Sequence, residues 1–243
     1  MNEQIISQYT LQPDGYCRLQ SSGTDQMPQY RLPGGLVVAK RYYDQLFGYQ
    51  RQGVRWYWSL HLRGEGGILG DDMGLGKTMQ TLTFLRCLFD SNLISRVLIV
   101  LPVAVMVHWK KEIERWCPGT RVALFHGTYK KGREAELSKI LRKGGICLTS
   151  YGLIVTNVPE LSDHGNSVWD YVILDEGHKI KVRNQSLITY QAHLLLALRL
   201  TRSVIAESLS QGLKGDSRDW HSLSSRIEWH ADPEQPLGAV GLV

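Results

Sequence analysis

Several features typical of membrane, secreted or disulfide-rich proteins are missing from this sequence. Its longest apolar run, at 97–101, is far shorter than the roughly 18–20 residues that a membrane-spanning helix needs. The first residues lack a basic stretch followed by an apolar core, so no secretory signal is predicted. The four cysteines form no Cys-x-x-Cys pair, which argues against a zinc ribbon or a thioredoxin-like redox site. We therefore expect an intracellular protein with no membrane partner, whose thiols are buried or idle.

The charge is only weakly biased toward one sign. There are 28 Lys and Arg against 23 Asp and Glu, a formal net charge of +5, which permits binding to a polyanion without requiring it. The 243 residues are 43% hydrophobic and 21% charged, a mixture typical of soluble globular domains. This composition excludes a disordered, collagenous or coiled-coil chain, and the length allows one large domain or two small ones.

Short apolar runs alternate with amphipathic stretches over residues 30–175. We predict strands at 67–69, 96–101, 121–125, 146–149 and 171–174, with helices at 77–89, 105–116 and around 137–141. This alternation favours an α/β domain whose mostly parallel sheet is covered by helices on both faces, with ligands at the carboxyl ends of its strands.

The composition divides the chain into three regions. We predict a polar N-terminal arm at 1–30, the α/β domain at 31–200 and a tail at 201–243. A helical pattern ends the domain at 187–200. The tail has seven serines over 203–225, then prolines and glycines, and shows no clear strand or long helix. We expect the tail to be poorly ordered.

The strongest chemical signal is Gly74-Leu75-Gly76-Lys77-Thr78, which follows a predicted strand and opens a predicted helix. Glycines let backbone N–H groups turn toward phosphate, and the helix N-terminus adds a partial positive charge. Lys77 would reach the β- and γ-phosphates, and Thr78 would ligate Mg²⁺. The full phosphate-loop pattern has a glycine where this chain has Asp71. The alternative is an ordinary glycine turn, but the strand–loop–helix context favours nucleotide binding.

A second signal is the acidic pair Asp175-Glu176, directly after the last predicted strand. A carboxylate at a strand end can hold Mg²⁺, and the adjacent Glu176 can polarise an attacking water. An isolated acidic pair is usually a solvated loop. In the same sheet as the loop of Lys77, it becomes the second half of a nucleotide site. His178 follows, and a surface histidine is as good an interpretation of it as any functional role.

Together these segments resemble the Swi/Snf-type ATPases of helicase superfamily two. Residues 67–78 are similar to motif I of that family, where an acid commonly stands at the position of Asp71. Residues 175–181 are similar to its DEGH-type motif II, and 46–56 to the upstream segment that recognises adenine. Motif Ia is matched by Pro102, Trp109 and Glu112, and motif Ib by 148–151. Residues 32–34 and 169–176 favour the Cockayne syndrome B-like branch, which includes the Plk-interacting checkpoint helicase.

This resemblance implies a RecA-like P-loop lobe over about 30–183 and assigns roles to single residues. Glu176 and Lys77 would be catalytic, Thr78 and Asp175 would bind the metal, and Thr149 and Ser150 would contact the DNA backbone. The nucleotide-binding residues would be Gln50, Asp71, Asp72, Met73, Gly74, Leu75, Gly76, Lys77 and Thr78. The implied cofactors are ATP and Mg²⁺, and the implied partners are double-stranded DNA and chromatin proteins. Family activity would be DNA-dependent ATP hydrolysis in the nucleus, serving chromatin remodelling or DNA repair.

The sequence departs from the family pattern after about residue 183. No Thr-Gly-Thr-Pro motif III occurs, and there is no second lobe with its arginines. One hypothesis is therefore that the chain hydrolyses ATP poorly or not at all. A linked hypothesis is that residues from about 185 onward derive from an alternative reading frame or a retained intron. One other interpretation stays open, a non-catalytic module that competes with a full-length motor. Another P-loop NTPase is disfavoured, because the sequence shows neither the substrate lid of a small kinase nor the signature loop of a transporter ATPase.

Overall fold

Two β-sheets organise the part of the chain that the structure describes. The computed structural model describes residues 9–11, 13, 16–19, 29–161, 169–176, 203–206 and 227–230. They form a four-stranded sheet and a seven-stranded sheet. Within these residues, no helix is long and apolar enough to cross a membrane.

The smaller sheet is an antiparallel meander at the N-terminal side. Its strands are β1 (Tyr9–Leu11), β2 (Cys17–Leu19), β3 (Gln29–Arg31) and β4 (Val37–Ala39). The structure differs here from the loosely docked arm predicted for 1–30. Tyr16 is fully buried, and its hydroxyl donates a hydrogen bond to the backbone carbonyl of Arg51. Strands of three residues are too short to give the alternating pattern by which sequence analysis recognises a strand.

The larger sheet and its helices follow in the predicted strand–helix alternation. A short α1 (Lys40–Tyr43) and a long α2 (Gly48–Arg63) precede it. The alternating part comprises β5 (Gly66–Leu69), α3 (Lys77–Asp90), β6 (Arg96–Leu101), α4 (Met106–Trp116), β7 (Val122–Phe125), α5 (Lys130–Lys143), β8 (Gly145–Ser150), α6 (Tyr151–Thr156), α7 (Val158–Leu161) and β9 (Tyr171–Asp175). A 3₁₀ turn at Val103–Val105 leads into α4.

The parallel sheet has a hydrophobic core on each of its faces. Alternate residues of β6 point to opposite sides, so Val97 and Ile99 join one core and Leu98 and Val100 join the other. Apolar side chains of α2, α3 and α4 complete the first core, while Leu137 of α5 belongs to the second. A strand that is buried on both faces has a continuous apolar sequence, as β6 does. The two cores confirm the predicted α/β fold, with helices on both faces of the sheet.

Two further strands lie within the predicted tail: β10 (Ser203–Ala206) and β11 (Ile227–His230). The strand order is β11-β5-β10-β9-β6-β8-β7, and each neighbouring pair runs parallel. Sequence analysis predicted no clear strand in this region. It missed β10 and β11 because isolated strands of four residues have too little hydrophobic periodicity to be recognised. The helical pattern predicted at 187–200 lies outside the described residues.

The strand order brings several predicted site residues to one edge of the sheet. Asp175 ends β9, and the loop carrying Lys77 leaves the end of β5. β10 stands between these two strands, with Ala206 in register with both Leu69 and Asp175. β6 pairs with β9 on the other side and brings Leu101 beside Ser150 of β8. Ligands of open parallel sheets bind at this carboxyl edge.

Candidate nucleotide site

Two glycines with positive φ angles shape the loop between β5 and α3, where phosphate binding is predicted. Gly74 and Gly76 have φ angles of 86° and 77°, which side chains with a Cβ rarely adopt. The helix α3 begins at Lys77, so its first N–H groups lie at this loop. The Lys77 ammonium donates to the backbone carbonyls of Asp71 at 2.6 Å and Asp72 at 2.9 Å. The loop thus holds the Lys77 ammonium against its own backbone carbonyls.

The electrostatics of Lys77 join this loop to the acidic pair. Burial lowers the pKa of Lys77, and the negative charges of Asp71, Glu176, Asp175 and Asp72 oppose that shift. Such an effect on the pKa of Lys77 requires Asp175, which ends β9, and Glu176, which follows it, to lie near the ammonium group of Lys77. The structure therefore brings together the lysine and the carboxylates that the sequence analysis assigned to one site.

Asp175 is a partly buried carboxylate whose pKa lies above its usual value, and specific contacts oppose part of that rise. Burial raises its pKa, a hydrogen bond from Trp109 lowers it, and the Glu176 charge raises it further. The backbone N–H of Glu176 and the charge of Lys77 act in the lowering direction. Glu176 itself has a φ of 55°, an uncommon backbone conformation that is found repeatedly at functional sites.

Trp109 and Tyr151 contact Asp175 from two different helices. The indole Nε1 of Trp109 in α4 donates to Asp175 Oδ2 at 2.7 Å. The hydroxyl of Tyr151, the first residue of α6, donates to the Asp175 backbone carbonyl at 2.7 Å. Sequence analysis assigned neither residue to the metal site, although both lie in the segments compared with motifs Ia and Ib.

Gln50, the predicted adenine-binding residue, lies against the phosphate loop. It is 3% exposed, its Nε2 donates to the Leu75 carbonyl at 3.1 Å, and its Oε1 accepts from the Phe47 N–H at 2.9 Å. A Cβ at position 76 would lie 2.6 Å from Gln50 Nε2, so Gly76 permits this close approach. The structure places Gln50 beside the loop, and its role in recognising adenine stays a prediction.

Gln80 is a site residue that sequence analysis missed. It is fully buried in the first turn of α3, and its Nε2 donates to Asp71 Oδ2 at 3.0 Å. The neighbouring α2 contributes Gly53, where a Cβ would lie only 1.8 Å from Gln80 Oε1. Gly53 was the available signal in the sequence. A glycine in the middle of a helix often permits close packing of a neighbouring side chain, which here is that of Gln80.

The other predicted nucleotide-binding residues form one continuous turn. Asp71 is buried, Asp72, Met73 and Gly74 are exposed, and Leu75, Gly76, Lys77 and Thr78 are half-buried. The predicted DNA contacts differ from these in burial. Thr149 is fully buried and its hydroxyl donates to the Phe125 carbonyl, whereas Ser150 is 8% exposed. Their DNA-binding roles stay predictions, and only Ser150 has any exposed area for a contact.

The residues at this edge of the sheet fit a Mg²⁺ ion bound together with phosphate. One oxygen of the buried Asp71, Oδ1, has no hydrogen-bond partner among the described residues, so acceptor capacity remains in the site. The described residues form no group of three or more His, Cys, Asp or Glu that could hold a metal alone. Mg²⁺ in nucleotide sites uses one or two protein oxygens plus phosphate and water. Thr78 and Asp175 would be those ligands.

Comparison with known proteins supports the fold and the family. The family model described as SNF2-related domain matches residues 49–203, which is more than half of the chain. Among solved structures, the chain is similar to the Sulfolobus solfataricus SWI2/SNF2 ATPase core in complex with dsDNA. That likeness has a TM-score of 0.55 at 21% identity and covers 75% of this chain and 44% of that one.

Curated relatives are more similar in sequence but much longer. The chain is 39% identical over 183 residues to the Homo sapiens DNA excision repair protein ERCC-6-like, covering 74% of this chain and 15% of that protein. It is 42% identical over 185 residues to the Arabidopsis thaliana Protein CHROMATIN REMODELING 24, covering 72% of this chain and 16% of that protein. The matched part corresponds to the first, RecA-like lobe of a helicase-like ATPase. The chain belongs to the SNF2-related domain family.

Proposed function

We propose that this lobe binds ATP with Mg²⁺ and double-stranded DNA as part of a DNA-dependent ATPase that moves along DNA. The observation that carries the proposal is the electrostatic interaction of Lys77 with Asp175 and Glu176 at one sheet edge. A lysine-bearing glycine loop facing an acidic pair is the arrangement that phosphoryl transfer from a nucleoside triphosphate requires. The dsDNA bound to the similar Sulfolobus solfataricus ATPase core and the names of the curated relatives support a role in DNA repair or chromatin remodelling. Such a role would place the protein in the nucleus.

Each residue of the site would have a separate role in binding or hydrolysing the nucleotide. Lys77 and the N–H groups of the loop bind the phosphates, and Gln50 recognises the adenine base. Bound Mg²⁺, held by Thr78 and Asp175, would neutralise charge on the phosphates. Glu176 would accept a proton from the attacking water.

The test is nucleotide binding by a variant that lacks the lysine. Lys77→Ala should abolish binding of a fluorescent ATP analogue, because the loop loses its only ammonium group. Lys131→Ala is the matched control, since it removes the same charge from an exposed position of α5 and should bind normally. Unchanged affinity in Lys77→Ala would overturn the assignment.

We further propose that a polypeptide of these 243 residues hydrolyses ATP slowly by itself. These 243 residues contain no Thr-Gly-Thr-Pro, and an arginine supplied to the γ-phosphate from another lobe is worth roughly 10³–10⁵ in rate in P-loop enzymes. The same observation favours a second function, a nucleotide- and DNA-binding module that competes with a full-length motor. Fast hydrolysis stimulated by duplex DNA would exclude both statements, and binding without turnover would support them.

A further inference from the structure

Two hydrogen-bond donors reach Asp175 from opposite faces of the parallel sheet. Trp109 packs in the core on one face, together with Ile113 and Leu82. Tyr151 packs against the core on the other face, which contains Leu174. One donor engages the side chain of Asp175 and the other its backbone carbonyl. The last residue of β9 is therefore held by two separately packed elements.

The indole N–H of Trp109 restrains the orientation of the Asp175 carboxylate. An indole N–H can only donate, so it always engages a carboxylate oxygen as an acceptor. Trp109 is 1% exposed, which means that the surrounding core fixes the direction of its N–H. With Oδ2 held in this direction, the carboxylate plane is set and the orientation of the other oxygen follows. Side chains that orient a metal ligand in this way affect metal affinity without touching the metal.

We propose that Trp109 is a positioning residue that orients the Asp175 carboxylate for Mg²⁺, and that Tyr151 fixes the Asp175 backbone for the same purpose. This inference rests on the proposed function, because it concerns the same nucleotide site. It also connects that site to the predicted DNA side, since Tyr151 directly follows Ser150. A contact at Ser150 lies one residue from the hydroxyl that holds Asp175.

The chain offers a close control for Trp109 on the same helix. Trp116 is also in α4, is 2% exposed and donates its indole N–H to Glu112 at 3.1 Å. Trp109→Phe and Trp116→Phe therefore make the same chemical change at similarly buried positions. Both variants should lose some packing. Only Trp109→Phe also removes a hydrogen-bond donor to Asp175, so only this variant should need more Mg²⁺ for nucleotide binding.

The experiment is a Mg²⁺ titration of the full chain in the presence of a fluorescent, slowly hydrolysed ATP analogue. Trp109→Phe should raise the Mg²⁺ concentration at half-maximal binding by about tenfold, a typical cost of losing such an orienting partner. Affinity for the analogue in EDTA should stay at the wild-type value, and Trp116→Phe should resemble the wild type in both measurements. Equal Mg²⁺ dependence in Trp109→Phe and Trp116→Phe would overturn the inference.

A second variant keeps the test valid if Trp109→Phe folds poorly. Tyr151→Phe removes a single hydroxyl and should raise the Mg²⁺ requirement in the same direction. Tyr129→Phe also removes a tyrosine hydroxyl, from the exposed residue that precedes α5, and should leave the Mg²⁺ requirement unchanged. If the wild-type chain binds no nucleotide, the proposed function falls together with this inference. If it binds in a Mg²⁺-dependent manner and neither variant changes the dependence, this inference alone is overturned.

Discussion

Gly53 of α2 lies directly against the Gln80 side chain of α3, so that a methyl group at position 53 would come within 1.8 Å of Gln80 Oε1. Gln80 in turn donates to Asp71 Oδ2. The helix that carries Gln50 and the loop that carries Lys77 are thus joined through a contact that only glycine permits.

Gly53→Ala should lower both stability and nucleotide affinity. The added methyl must displace Gln80, and overpacking of this kind costs about 1–3 kcal/mol in the free energy of unfolding. Chemical denaturation measures the first effect, and titration with a fluorescent ATP analogue measures the second. Gly48→Ala is the control, because nothing lies within 4 Å of a Cβ there.

A double variant separates the two effects of this contact. Gln80→Ala in the Gly53→Ala background removes the clash and should recover part of the lost stability. It should not recover nucleotide affinity, because Asp71 still lacks its hydrogen bond from Gln80. Full recovery of affinity would show that Gln80 has no influence on the loop.

Asp170→Ala should destabilise the fold without weakening nucleotide binding. The Asp170 carboxylate accepts the backbone N–H groups of Ser95 at 2.7 Å and Arg96 at 2.8 Å, which joins the start of β6 to the residue before β9. Removing this acceptor should cost about 2 kcal/mol in the free energy of unfolding, because two backbone donors lose a charged partner.

The matched control for Asp170→Ala is Asp44→Ala. Asp44 forms an exposed ion pair with Lys40, and such pairs contribute less than about 1 kcal/mol. Urea denaturation of both variants gives the comparison. Equal stability losses would contradict the importance assigned to the Asp170 contacts.

Thr149→Val and Ser150→Ala should differ in their effect on DNA affinity. The Thr149 hydroxyl is buried and donates to Phe125, so its removal should leave binding of a labelled duplex unchanged. Ser150→Ala should weaken that binding roughly fivefold, the loss of about one neutral hydrogen bond. Fluorescence anisotropy at a fixed salt concentration measures both. A loss of affinity confined to Thr149→Val would reverse this assignment.

The fold should lose stability at alkaline pH through its buried thiols. Burial raises the pKa of Cys117 and Cys147 to about 12, from a usual value of 9.0, and it also raises the pKa of Cys87. Between these values the unfolded chain releases protons that the folded chain keeps, so the free energy of unfolding falls as pH rises from about 9 to about 12.

Two measurements check this prediction. Denaturation as a function of pH should show a smaller alkaline loss of stability in Cys147→Ala than in the wild type. Alkylation at pH 8 followed by mass spectrometry should leave these three cysteines unmodified in the folded chain and modify them in urea. Rapid native labelling of Cys147 would contradict its burial.

Long, strongly patterned segments were predictable from the sequence, and short or non-local features were not. The strand at 96–101 is a continuous apolar run, and Trp109, Ile113 and Trp116 mark one face of α4, so both elements were found. The α/β fold and its family follow from these elements and from the motif of Lys77. The strands β1 to β3, β10 and β11 are too short for a periodic signal.

The contacts inside the site could not be predicted because they depend on the packing of distant elements. Nothing in the residues near Trp109 indicates that its indole N–H meets Asp175. That contact depends on the pairing of β6 with β9 and on the packing of α4 in the core. Likewise, the packing reason for Gly53 appears only when α3 places Gln80 beside it. Thr149 is buried because it lies in β8, which pairs with β6 on one side and β7 on the other. Threonine itself does not indicate burial.

The placement of β10 between β5 and β9 affects the order in which the protein can assemble. All the residues proposed to bind nucleotide precede β10 in the chain, yet β10 is the strand that pairs with both β5, before the phosphate loop, and β9, which ends in Asp175. Pairings between distant segments form slowly, because the intervening chain must first be closed into a loop. A nucleotide would then be bound tightly only by chains in which β10 has paired with β5 and β9, and its binding would stabilise those chains over the others.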